Sequence, residues 1–262
     1  MNPKISVITA ALNDPKGLLE TINSIKSQVY DNLEYIIIDG GSEQASLDII
    51  KKNKAVISCW VSEPDKGISD AFNKGINLAT GEYLIFLGAG DVFYDKHVLQ
   101  NIFEHLSPEE ISAYDIISGK IQRVSLKGEA LWTAPKNIQN FSKNDLLFKL
   151  GLPHQGMFMH RRYFARYGVF DLKLKYAMDY DLLLRSFHDF PKIKLADKII
   201  ANWMEGGVGT GKILEIYQEY HEIKLRNKIA PVWLLTCIHY WNRLKYKIKT
   251  YFSAHVKIIK QQ

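Results

Sequence analysis

The feature that most constrains this chain is a set of three apolar runs, each of which ends in acid. Ile36-Ile37-Ile38 runs into Asp39, Trp60-Val61 into Glu63 and Asp65, and Ile85-Phe86-Leu87 into Asp91. Short apolar runs separated by helix-period segments read as buried parallel strands, joined by right-handed crossovers. In open α/β sheets the ligand sits outside the carboxyl ends of the strands, so these acids line one rim. Carboxylates packed there repel one another, and a cation or a donor-rich ligand is expected among them. A single Asp at a strand end is an ordinary turn residue. Several in register ask for more, because Gly40-Gly41-Ser42 and Gly88-Ala89-Gly90 beside them let the backbone approach a bulky ligand.

The same alternation extends along the chain. The first half predicts strands over Ile5–Thr9, Leu33–Ile38, Ala55–Val61 and Tyr83–Leu87. Helices over Gly17–Tyr30, Ser46–Lys52 and Ser69–Ala79 lie between them. The second half is less regular. Ile116–Leu126 predicts strand pairing before a turn at Lys127-Gly128-Glu129, and Met157–Met159 a short strand. Arg161–Tyr167 predicts a helix closed by Gly168, Met178–His188 another, and Ile193–Ala201 a final strand. The fold class is α/β: a mixed, mainly parallel sheet with helices on both faces. Residues 1–211 form one continuous domain, followed by a helical extension over 212–262.

A chain of 262 residues with 47% hydrophobic content can bury a full core. Cys59 and Cys237 are far apart and lack metal-ligand spacing, so a disulfide framework is not expected and a reducing compartment fits. Met1-Asn2-Pro3-Lys4 and the apolar Ile5–Leu12 read as a first strand, not a secretory signal. The expected location is cytoplasmic, or peripheral on the cytoplasmic face of a membrane. Charge is unevenly distributed. The net +6 includes nine Lys or Arg and no acid from Lys224 onward, which leaves −3 for the rest. Leu234, Ile238, Trp241, Leu244, Ile248 and Phe252 recur at helical spacing, with Arg243, Lys247 and Lys249 off that stripe. That pattern predicts a basic amphipathic helix in peripheral membrane contact. A helix packed on the domain or on another subunit is the alternative. Nucleic acid is not an expected partner, because the charge is confined to one terminal segment.

The motifs and their order resemble glycosyltransferase family 2, similar to bacterial surface-polysaccharide enzymes. The resemblance is carried by Asp39-Gly40-Gly41-Ser42, the stretch from Ser62 to Gly75, Ala79-Thr80-Gly81-Glu82-Tyr83 and Leu87-Gly88-Ala89-Gly90-Asp91. It continues through His154-Gln155, Asp179-Tyr180-Asp181 and Gly206-Gly207-Val208, and covers roughly residues 4 to 210. It implies a GT-A fold with a donor half over about 1–92 and an acceptor half over about 93–211. The implied reaction is inverting transfer of a sugar from a nucleotide-diphosphate donor to a glycan or lipid-linked acceptor. A UDP-sugar is favoured, with GDP and dTDP as alternatives.

The same resemblance implies roles. Thr9, Asp39, Asp65, Lys66, Gly67 and Asn73 would bind nucleotide, and Asp91 would hold Mg²⁺ or Mn²⁺. Ala89, Gly90, His154, Gln155, Asp181, Gly206 and Gly207 would contact donor or acceptor. Asp179 would be the general base that deprotonates the acceptor hydroxyl; its bland reading is a helix-start acid favoured by the dipole. Gly90 stands where many relatives carry a first acid, a departure that weakens metal affinity or leaves room for water. It also keeps a second reading open, a non-catalytic GT-A scaffold. The glycine-rich run from Gly206 to Gly211 has neither a Walker ending nor a strand-to-helix fingerprint, and reads as a lid with Lys212 near the phosphates. A sugar-nucleotide pyrophosphorylase would need a glycine-rich basic loop after the first strand, and Thr9-Ala10-Ala11-Leu12-Asn13 is not one.

Overall fold

The computed structural model describes residues 2–207 and 209–259, with side chains as far as Phe252. The first half runs β1 (Ile5–Ala11), α1 (Pro15–Lys26), β2 (Leu33–Asp39), α2 (Gln44–Lys52), β3 (Cys59–Ser62), α3 (Ile68–Leu78) and β4 (Tyr83–Gly88). The middle holds β5 (Val92–Phe93), α4 (Val98–Phe103), α5 (Pro108–Ala113), β6 (Ile116–Val124) and β7 (Ala130–Ala134). Then come β8 (Met157–His160), α6 (Arg161–Tyr167), α7 (Met178–Arg185), β9 (Ile193–Met204), α8 (Ile213–Arg226) and α9 (Val232–Ile259).

Among the described residues, nine strands form one sheet in the order β3-β2-β1-β4-β8-β6-β9-β5, with β7 paired to β6. β1 to β4 are mutually parallel, and β6 and β9 are parallel to each other, while β5, β7 and β8 run antiparallel to their neighbours. Two layers of side chains sandwich the sheet. Leu18, Ile22 and Ile25 of α1 cover one face, where Val7, Ile37 and Ile85 point. Phe72 of α3, with Leu182 and Leu183 of α7, covers the other, where Ile8, Ile36 and Phe86 point. Burial on both faces explains why β2 reads Tyr35-Ile36-Ile37-Ile38 without alternation.

α3 lies unusually close to the sheet: a Cβ on Gly75 would come 2.3 Å from Ile8 Cγ2. That approach sets the height of the α3 N-terminus against the carboxyl ends of the strands. The strand expected over Ala55–Val61 is shorter, because residues up to Val56 close a turn onto Asn53 and only Cys59–Ser62 pair with β2. β9 is longer than expected, since it tracks β6 as far as the Val124–Met204 pair. The 212–262 extension contains two helices. α8 packs beside α7 through Tyr180, Leu184 and Ile223, and Leu235 of α9 joins the same cluster.

Candidate functional site

The carboxyl end of β2 carries Asp39, which is fully buried. Its Oδ2 accepts hydrogen bonds from the Ser62 hydroxyl at 2.7 Å, the Ser42 amide at 2.9 Å and the Gly41 amide at 3.2 Å. Its Oδ1 is equally buried but has no partner. A buried carboxylate oxygen without a donor is costly, and so marks a place where a ligand donor belongs. Asp65 lies alongside: a Cβ on Gly40 would come 2.6 Å from Asp65 Oδ2, so glycine is what permits this approach. Asp65 Oδ1 accepts from the Gly67 amide at 2.9 Å and shapes the turn into α3. Gly67 itself has φ +109 with open space around it, and the Lys66 side chain beside it is exposed. Glu63, the other expected rim acid, is paired with Lys74 at 2.9 Å.

The turn after β4 presents Asp91. Gly90 has φ +93, a backbone state that L-residues adopt at a cost, and its amide donates to the Thr21 hydroxyl at 3.0 Å. Thr21 in turn donates to the Asp91 carbonyl at 2.8 Å, and the Ala89 amide donates to Ala10 of β1 at 3.0 Å. Gly17 makes room here, since a Cβ on it would lie 2.9 Å from the Gly90 amide nitrogen. Glycine at 90 thus suits the backbone conformation of this turn. Asp91 Oδ2 accepts from Gln155 Nε2 at 3.1 Å and the Gly88 amide at 3.2 Å, while Oδ1 accepts from the Met204 amide at 3.3 Å. Burial outweighs these bonds and the field of Arg123, and raises the Asp91 carboxyl to about 6.

Asp179 opens α7, half-buried, with Oδ1 accepting from the Tyr180 amide at 2.7 Å. Burial pushes its carboxyl up to about 6. Ser69 Oγ lies 3.0 Å from Met178 Sδ, so the first turns of α3 and α7 meet. That contact connects Asp179 with the rim that carries Asp65. His154 sits in a nest of Phe72, Phe86 and Phe170, stacked on Phe86 at 5.5 Å. Burial lowers its pKa to about 4, so the ring is neutral, and its buried Nε2 has no partner.

Three expected contacts are placed elsewhere. Thr9 is buried in the middle of β1 and receives the Tyr35 hydroxyl at 3.3 Å; strand periodicity aims it into the α1-side core, below the rim. Asn73 clamps the backbone of Phe170, donating to its carbonyl and accepting from its amide at 2.9 Å each. Asp181 is fully buried between Arg185 and Arg226 and ties α7 to α8. Gly206 and Gly207 come after β9 and Glu205, Gly206 two residues beyond the Met204 amide that holds Asp91 and at φ +99. Val208 of that motif lies outside the described residues. Lys212 pairs with Glu215 at 3.0 Å.

Sequence reading missed a cross-strand row. Arg123 of β6 is paired with Trp132 of β7 on one side and Trp203 of β9 on the other. The Arg123 guanidinium stacks 3.7 Å from the Trp203 ring, and the two indoles meet at 6.4 Å. Trp203 immediately precedes Met204, so the row leads to Asp91. No local motif announces it, because the three residues lie on three strands.

The residues present suit a divalent ion that is shared with a ligand. Among the described residues no three His, Cys, Asp or Glu side chains converge. Asp91 is a buried carboxylate with a raised pKa and only neutral donors hydrogen-bonded to it, the setting in which a cation restores the charged form. One carboxylate suffices where a diphosphate and water supply the remaining oxygens.

Comparison with known proteins follows the same lines. The model of glycosyl transferase family 2 matches residues 6–168. A PGL/p-HBAD biosynthesis glycosyltransferase of Mycobacterium tuberculosis is 30% identical over 188 residues, covering 71% of this chain and 70% of its own. A glycosyltransferase of Rickettsia prowazekii is 26% identical over 230 residues, covering 85% of this chain and 70% of its own. The structure of S. aureus TarS with UDP-GlcNAc superposes with a TM-score of 0.66 over 90% of this chain and 70% of TarS, at 16% identity. Mannosyltransferase PcManGT of Pyrobaculum calidifontis, solved with GDP-Man and Mn²⁺, gives 0.64 over 91% and 69%, at 17% identity. Fold, motif order and sequence agree: this chain belongs to glycosyl transferase family 2 and has its GT-A fold.

Proposed function

We propose that this glycosyltransferase moves a sugar, with inversion, from a nucleotide-diphosphate donor to a glycan or lipid-linked acceptor. One observation carries the donor half of this reading: Asp39 Oδ1 is buried at the rim without a donor. A base N–H, such as the imide of uracil or thymine or N1–H of guanine, would satisfy it, and UDP is the favoured carrier by analogy with the UDP-GlcNAc held by TarS, a relative in fold. The Asp65 turn and the open space at Gly67 leave room beside it for a ribose.

The reacting half follows from Asp179. A carboxyl with a pKa near 6 is ionised at neutral pH yet basic enough to accept a proton, which suits a general base. The acceptor hydroxyl oxygen bonds to the anomeric carbon as that carbon's bond to the diphosphate oxygen breaks. The hydroxyl proton passes to Asp179, and the bonding electron pair leaves with the diphosphate. A single displacement inverts the configuration. Asp91 would hold Mg²⁺ or Mn²⁺, whose charge would stabilise the leaving diphosphate. Gln155 and the Met204 amide fix the Asp91 carboxylate in advance, and the glycines after Met204 let the loop fold over the donor. The exposed Trp132 indole, next to Trp203, offers a sugar face a stacking surface on the acceptor side.

Calorimetric titration with UDP, GDP and dTDP, with and without Mn²⁺, tests the donor site. UDP is expected to bind best, with Mn²⁺ strengthening it in the wild type and not in Asp91→Ala. Asp39→Ala should weaken UDP with or without metal. Failure of all three nucleotides to bind under either condition would leave the non-catalytic scaffold as the better reading.

A further inference from the structure

The helix α9 has two unlike faces. On one, Leu235, Ile238 and His239 are buried against α8, with the His239 ring stacked 4.5 Å from His221 and its Nδ1 3.2 Å from the Tyr217 carbonyl. This is how the helix is held to the rest of the molecule. The other face is apolar and uncovered: Trp233 is 69% and Phe252 62% exposed, and Tyr240, Trp241, Leu244 and Ile248 lie exposed between them. At about 3.6 residues per turn these six fall within about a third of the helix circumference, nearly opposite the buried face.

Charge frames that stripe. Arg243 and Lys247 run along one edge, Lys245 and Lys249 along the other, and no acid occurs from Lys224 to the end of the chain. Lys245 reaches back over the Trp241 ring at 5.6 Å. An apolar arc with aromatic members and a cation on each flank matches the boundary between lipid headgroups and acyl chains. Among the described residues no helix is long and apolar enough to cross a membrane, so the helix would lie along the surface. A second copy of the same face is a poor occupant, since it would oppose four cations to four with no acid on either helix.

We propose that α9 docks this protein on an anionic phospholipid bilayer, with the Trp233-to-Phe252 stripe in the interface and the flanking cations among the headgroups. The stripe the sequence suggested is thereby divided: Ile238 belongs to the α8 contact, while Trp233 and Tyr240 join the outward face. The docking does not depend on the donor-site reading.

Co-sedimentation of the full chain with vesicles of phosphatidylcholine containing about 30% phosphatidylglycerol, against pure phosphatidylcholine, tests it. Binding is expected to the anionic vesicles and to weaken as salt rises. The combined variant Trp233→Ser, Trp241→Ser, Phe252→Ser should partition about tenfold less or worse. Replacing Arg243, Lys245, Lys247 and Lys249 by Gln should abolish the preference for anionic lipid. Both variants should keep wild-type UDP affinity, because the altered side chains lie outside the site, and a near-wild-type melting temperature, because all of them except the half-buried Arg243 are exposed. Equal partition onto both vesicle types would overturn the proposal, as would anionic binding that survives the aromatic variant. So would a dimer in light scattering that the aromatic variant dissolves, which would assign the face to a second copy.

Discussion

At the residue scale the proposed chemistry turns on two carboxylates, the buried Asp91 and the half-buried Asp179, that share a direction of shift and differ in surroundings. Asp91 is held from three sides by neutral donors and suits a cation; Asp179 has one backbone donor and suits a proton. Asp179→Asn should therefore lower kcat by about 10²–10⁴-fold and leave UDP affinity near wild type. The active form of the base is deprotonated, so wild-type kcat, measured with donor and Mn²⁺ saturating so that Asp91 stays ionised, should rise with pH through about 6 and then level, and the residual kcat of the variant should lose that step. A pH–rate profile of both proteins checks this, and a variant that keeps the step would move the base elsewhere. Asp91 was legible in the sequence, because a carboxylate after an apolar run is a local signal, whereas Asp179 was singled out only through the family resemblance. Which acids stay available was not legible. Asp181 and Asp179 are two residues apart on one short helix, yet only the arrival of Arg226 from α8 and Arg185 from the next turn neutralises the former.

Elements matter here mainly for where they place their ends. α3 brings its N-terminus to the rim only because Gly75 lets it settle onto Ile8 of β1. Gly75→Ala would gain up to about 1 kcal/mol of helix propensity. It would also drive a Cβ to 2.3 Å from a fully buried side chain. Overpacking of that kind costs about 1–3 kcal/mol, so the clash should win and the variant should melt lower. Because the shift moves Gly67 and the Asp65 turn, nucleotide affinity should fall with it; calorimetry and thermal melting on the same sample test the pairing. Helix and strand periods made most of these elements readable in advance, including the Gly168 stop of α6. The helices α4 and α5 were not expected, and the strands that departed from expectation are those whose limits depend on a partner. β3 shortened to the four residues that β2 can pair, β9 lengthened along β6, and β5 has too few residues to show a period at all.

For the whole molecule, the shifted groups link stability to pH in opposite directions. Asp91 and Asp179 hold protons up to about 6 when folded, against an ordinary 3.8. Between those values the native state binds more protons than the unfolded chain, so their effect is a loss of stability as pH rises from about 4 to about 6. Glu34, at the far end of the sheet, behaves oppositely. Burial would raise it, but hydrogen bonds from Ser6, Thr80 and Lys4 overcome that and hold it at about 2. Its contribution is full above about 4.5 and is lost as pH falls toward about 2. His154 and His160, both held neutral down to about 4 against an ordinary 6.5, act oppositely over the same range, so the stability of the ligand-free protein should change little between about pH 4 and 6. Added UDP and Mn²⁺, which need ionised Asp91, should raise the melting temperature more at about pH 7.5 than at about pH 5. An equal shift at both pH values would count against Asp91 as the metal ligand. By itself the sequence determined the alternation of buried strands and covering helices, the rim on which the acids fall and the basic character of the last helix, because periodicity and charge are properties of neighbours along a chain. Only the tertiary structure decided that Thr9 is core, that Asn73 is a clamp and Asp181 a tie, and that Trp132, Arg123 and Trp203 form one row. Those roles depend on what arrives from distant segments, and a hydrogen bond or a stacked ring has no signature until both partners are in place.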